Sequence, residues 1–162
     1  MIVRGGLEGL AARLAAQRGL ERHELARLRQ CLADGDRLLG DVGRAAEAEY
    51  AAVNGRFHEL LAEVSGNRTL RRAIEHNNAM PFASPNAMLP VQAVIEDRVF
   101  WLRTAHQQHH AIVEAIESRD GARARSLVEE HARIGRRALE RALAQPAKLF
   151  HIYPTLEPTW AA

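Results

Sequence analysis

Apolar residues recur along this chain three and four positions apart, with charged residues between them, which is the pattern of helices buried along one face. Leu7, Leu10, Ala11, Leu14 and Ala15 predict a first helix over about Val3–Arg18, stopped at Gly19. Leu25, Leu28 and Leu32 predict a second over about Leu20–Ala33. Asp34-Gly35-Asp36 then reads as a break, with Leu38 and Leu39 resuming the helix before Gly40 and Gly43. A third helix spans about Arg44–Val64 and closes at Ser65-Gly66-Asn67, where Gly66 suits a C-cap and Asn67 an N-cap for a fourth over about Thr69–Met80.

The stretch Pro81–Pro90 holds three prolines and is predicted to be a loop. A long fifth helix follows over about Val91–Glu117, and Asp120 caps a sixth over about Gly121–Ala144 that Pro146 ends. Six helices with short links predict an all-α antiparallel bundle, one domain over residues 1–145 with an irregular tail over residues 146–162 that carries Pro154 and Pro158. Composition agrees. Ala, Leu, Arg and Glu dominate, and runs of β-branched residues are nearly absent.

Charge narrows the function classes. The formal net charge is +2, nearly all the positive charge is arginine, and basic residues alternate with acids without clustering on one face, so direct DNA binding by these residues is not expected. Cys31 is the only cysteine, which rules out a disulfide within the chain. No apolar run follows a basic start and none reaches membrane-spanning length, so a cytoplasmic location away from membranes is expected.

The candidate chemistry lies in histidines. His58 shares a face with Ala51, Asn54, Leu61 and Ser65; His109 with Leu102, Ala105, Ile112, Val113 and Ile116; His131 with Leu127, Val128, Ile134 and Ala138. All three are predicted to point inward, whereas His110, beside Arg103, Glu114 and Glu117, is predicted to face water. A single inward histidine is commonly a hydrogen-bonded core residue. Three on separate helices, with no carboxylate evident to satisfy them, leave a metal site as the other reading, with Asn54 one turn before His58 as a further oxygen ligand. A metal-dependent helical-bundle enzyme is the alternative function. It lacks support: there is no His-Glu-x-x-His motif, no Glu-x-x-His pair, no histidine at a recognisable spacing from Cys31 and no glycine-rich phosphate loop.

The run Phe57-His58-Glu59-Leu60-Leu61-Ala62-Glu63-Val64-Ser65-Gly66-Asn67 resembles a signature of the FCD domain, the effector-binding domain of FadR-subgroup, GntR-type bacterial transcription regulators. The block from His109 through Ile112, Ala115-Ile116 and Asp120 to His131 is similar to a second family pattern, and Arg4-Gly5-Gly6-Leu7-Glu8 with the residues to Ala11 to a third. The resemblance covers about residues 3–145.

It implies a bundle of six to seven helices enclosing a pocket that holds a divalent metal, zinc or nickel, bound by an acid and three histidines. By position the histidines are His58, His109 and His131, while Asn54 stands where the acid is expected. It also implies a small carboxylate effector. A reader of pseudo-palindromic DNA usually works as a dimer, so a homodimer is expected, with the first and sixth helices as the interface. DNA contact is expected only through a winged helix-turn-helix, which these residues do not contain; a fragment or a shortened gene product is the expectation. Arg4 and Glu8 match pocket positions, although at one turn apart they read equally well as a surface ion pair. Asn77, Ser84, Asn86 and Arg103, near the helices that bear the site, complete the candidate ligand-binding residues.

Overall fold

The computed structural model describes residues 2–40, 44–80, 83–87, 89 and 98–144, with side chains throughout except at 44–48 and 142. Six helices make up the fold among the described residues: α1 (Ile2–Arg18), α2 (Arg22–Gly40), α3 (Arg44–Glu63), α4 (Arg68–Asn78), α5 (Arg98–Glu117) and α6 (Gly121–Leu143). There are no strands among them, and the architecture is an all-helical bundle. The expected start of the fifth helix at Val91, the end signal Pro146 of the sixth, and the expected tail over residues 146–162 lie outside the described residues.

The helix ends follow local chemistry. Gly66 takes φ +69° after α3, a left-handed turn that a side chain would strain, and its N–H donates to the Glu63 carbonyl. Asn67 then caps α4, its side chain accepting from the Leu70 N–H at 3.0 Å. Asp120 accepts from the Arg123 N–H at 2.9 Å and starts α6 in the same way. Ala87 and Leu89 donate back to the Ser84 and Asn86 carbonyls, so the described part of the proline-rich segment is a set of turns.

The expected break at Asp34-Gly35-Asp36 does not occur: α2 runs unbroken to Gly40. Tertiary packing overrides the local signal. A Cβ at Gly35 would sit 2.2 Å from His106 Cε1, so a residue without one lets α2 lie against α5. Asp34 is held by Arg56 at 2.6 Å and Gln30 at 3.0 Å, and Asp36 by two histidines of α5.

α2 and α5 run antiparallel, and so do α1 and α6. Along α2, residues 29, 35 and 36 meet residues 117, 106 and 110 of α5, and Arg103 meets Leu39. Along α1, Gly5 and Gly9 meet Ala132 and Arg125 of α6. The buried face of α1 differs from the expected leucine stripe. It consists of Arg4, Gly5, Glu8, Gly9, Ala11, Ala12, Ala15 and Ala16, whereas Leu10 is 38% exposed and Leu7 and Leu14 pack on a minor cluster with Leu70 and Ile74. The small side chains let α1 sit close on α6 and carry two charged residues into the interior. The main core joins Leu28, Leu32, Phe57, Leu61, Ile112, Ile116 and Val128 from α2, α3, α5 and α6.

Candidate metal centre

Three helices aim imidazoles at one point. His58 comes from α3, His109 from α5 and His131 from α6, and all three are buried. His131 Nε2 lies 3.2 Å from His109 Nε2 and 3.3 Å from His58 Nε2. The Phe57 ring stacks on His109 at a centroid distance of 3.9 Å and fixes that imidazole's plane.

The outer nitrogens decide what the inner ones present. His58 Nδ1 is 3.0 Å from Glu8 Oε2, and an ionised carboxylate only accepts, so the proton resides on Nδ1. His131 Nδ1 faces Gln108 Oε1 at 3.2 Å and donates likewise. In the neutral rings both Nε2 atoms are then lone pairs, standing 3.3 Å apart with no proton to share. Ligands about 2.0–2.1 Å from a tetrahedral ion are about 3.3–3.4 Å from one another. The donor set and its spacing therefore fit a divalent cation of the zinc type, and these three histidines form a group able to hold one. A carboxylate on the outer nitrogen, as Glu8 is to His58, is a usual support of a metal-bound imidazole.

The electrostatics agree. Burial, reinforced by neighbouring histidines, pushes the imidazole of His109 well below its ordinary range and does the same, with Arg4, to His131. Both imidazoles are neutral at neutral pH, the form that metal binding requires. Burial opposes ionisation of Glu8, yet His58, its hydrogen bond and the charge of Arg4 outweigh it and hold the carboxyl below its usual range.

Arg4 and Glu8 are both buried, so they are not a surface ion pair: Glu8 turns to His58, and Arg4 Nε and Nη1 have no partner among the described residues. Arg4 lines a cavity of about 30 Å³ together with Tyr50, Asn54, Ser84, Leu102 and His131. The Asn54 amide donates to Asn86 Oδ1 at 2.8 Å, and Asn86 donates on to the Ala51 carbonyl, so the turn residues close the cavity against α3. Asn54 keeps its own Oδ1 as an acceptor. Asn77, at the end of α4, bonds Asn78, and Arg103 is exposed and donates to the Leu39 carbonyl; neither lines the cavity.

Sequence reasoning passed over Glu8 as the carboxylate for His58, and Gln108 and Tyr50 altogether. Tyr50 had a signal, since positions 50, 54 and 58 fall one helical turn apart. Its hydroxyl is buried without a partner among the described residues, and burial raises its pKa so that it remains a donor. Cys31 donates to the Val53 carbonyl, and burial raises its pKa, which leaves it an inert core thiol.

The molecule is thus a helical bundle with a triple-histidine centre beside a small polar cavity. The chain matches the family model of the FCD domain over residues 1–133, and it belongs to that family. FCD domains are the regulatory, effector-binding domains of GntR-type regulators. No curated protein sequence matches the chain. No helix among the described residues is long and apolar enough to cross a membrane.

Proposed function

We propose that this domain senses a small carboxylate through a divalent zinc or nickel ion held by His58, His109 and His131. The observation that carries the reading is the shared opening on one cavity of His131 and of Arg4, whose Nε and Nη1 have no partner among the described residues. Buried fixed charge at the site cancels, Arg4 against Glu8, so a divalent ion bound by neutral imidazoles and neutral Asn54 brings uncompensated positive charge into a low-dielectric interior. A carboxylate offsets that charge, ligates the ion and accepts from Arg4, with the Tyr50 hydroxyl as a further donor. A cavity of about 30 Å³ favours a compact anion.

In the whole regulator a winged helix-turn-helix makes the DNA contact, in the cytoplasm, and this domain supplies sensing and dimerisation. Exposed Ile2 and Val3, beside a groove between α1 and α6 lined by Gly5, Gly6, Ala132 and Arg136, support a dimer surface there. An effector that prefers one arrangement of the helices shifts the population toward it, and its coupling to DNA affinity is reciprocal. Residues 1–145 form the sensor, and residues 146–162 are a tail outside it.

The test is a thermal-shift panel of organic acids and neutral sugars, run with zinc or nickel and again after chelation. Carboxylates raise the melting temperature only in the presence of metal. Stabilisation by neutral compounds that ignores the chelator overturns the reading. Sedimentation at tens of micromolar checks the dimer, and a monomer there contradicts it.

A further inference from the structure

A second cluster of ligating atoms sits where α2 crosses α5, on the outer side of the bundle. His106 and His110 are four apart on α5 and so lie on one edge, one turn from each other. Asp36 of α2 faces both: its Oδ1 is 3.1 Å from His106 Nε2 and 3.0 Å from His110 Nε2. The three ligand atoms lie within 4.8 Å of one another.

We propose that Asp36, His106 and His110 form a second divalent-metal site, of the zinc and nickel class, that ties α2 to α5. Two imidazoles and one carboxylate suit such ions, and three protein ligands leave a position for water. The near-3 Å separations are those of ligands sharing one ion at about 2.0–2.2 Å. His106 is the buried anchor. The Tyr50 ring meets it edge-on at 5.7 Å, and Gly35 leaves room for it. Asp36 and His110, 57% and 43% exposed, supply the entry path from solvent.

Without metal, His106 Nε2 also bonds the Leu32 carbonyl at 3.1 Å. That carbonyl lies one turn before Asp36 in an unbroken helix and accepts the Asp36 N–H, so losing the imidazole leaves it satisfied. His106 Nδ1 lacks a partner among the described residues in either tautomer, so it does not discriminate between a hydrogen-bonded cluster and a metal site. The site shares no ligand with the inner centre, although the His106 and His109 rings touch edge to face with centroids 5.8 Å apart.

Equilibrium dialysis of the full chain against zinc, read by elemental analysis, tests the proposal. The wild type binds two ions per chain, Asp36→Asn and His110→Ala each bind one, and His131→Ala combined with Asp36→Asn binds none. Asp36→Asn is the informative change, because the amide oxygen still accepts from an imidazole N–H but is a far poorer metal ligand. Both side chains are surface-exposed, and a circular-dichroism melt checks that the variants fold. Zinc beyond the first equivalent raises the melting temperature of the wild type and not that of Asp36→Asn. Wild-type stoichiometry in Asp36→Asn and His110→Ala, or loss of all zinc in His131→Ala alone, overturns the proposal.

Discussion

Glu8 orients His58 from an adjacent helix, and its removal measures how much the outer contacts matter to the inner ones. Glu8→Gln keeps the size and an acceptor oxygen but loses the charge facing His58 Nδ1 at 3.0 Å. Such second-sphere changes weaken metal binding by about 10–100-fold. A competition titration of zinc against a chromophoric chelator reads the shift directly, and unchanged affinity contradicts the role given to Glu8. His131→Ala, which removes the imidazole lying between the other two, should abolish zinc binding at the inner centre altogether. The three histidines were legible in the sequence because each sits on an apolar stripe, and apolar stripes turn inward. Glu8 was not. A charged pair one turn apart looks the same in one dimension on a surface or in a core, and only the close packing of α1 on α6 places Arg4 and Glu8 inside. Asn77 and Arg103 failed to reach the cavity for the complementary reason: proximity to a site-bearing helix says nothing about which way a side chain leaves it.

At the scale of elements, the punctuation of the chain was readable wherever its cause is local. Gly66, Asn67 and Asp120 act through their own backbone and side-chain geometry, and the helices end or begin where they stand. Asn67→Ala should lower stability by about 1 kcal/mol through loss of the cap to α4, measured by urea denaturation. The misread element is α2, where Asp34-Gly35-Asp36 has the composition of a turn but lies within a helix. Its residues answer to α3 and α5, through Arg56, His106 and His110, and no window of local sequence contains those partners. Gly35→Ala isolates the effect. Alanine is the better helix former by nearly 1 kcal/mol in isolation. Here its methyl would meet His106 Cε1 at 2.2 Å, inside a fully packed contact. Overpacking of that kind destabilises by about 1–3 kcal/mol, so the sign of the substitution reverses. A rise in the urea midpoint on Gly35→Ala contradicts the close approach of α2 and α5.

For the molecule as a whole, helix-forming composition and periodic apolar faces were enough to indicate a bundle. The pH response of that bundle follows from what it buries. The imidazoles of His109 and His131 are held well below their ordinary value of 6.5, chiefly by burial and further by neighbouring positive charge. In the unfolded chain they titrate near that ordinary value, so below it the unfolded state binds more protons than the folded one. Stability then rises with pH across the window. Their contribution is therefore full above about pH 6.5 and is lost as pH falls toward the depressed folded values. Glu8 has the same sign at lower pH, since its carboxyl is held below 4.5 and its contribution fades only as acid approaches the folded value. Metal-free protein should thus melt at steadily lower temperature between about pH 7.5 and pH 5.5. His109→Gln combined with His131→Gln should flatten that profile, because glutamine is uncharged at every pH. Zinc should steepen the wild-type profile, since a bound ion requires the same nitrogens to be unprotonated and protons compete with it. Differential scanning calorimetry at matched ionic strength, with and without zinc, separates the two contributions. A metal-free melting temperature that is constant across the window, or equal slopes in the wild type and the double variant, shows that these imidazoles do not control the response.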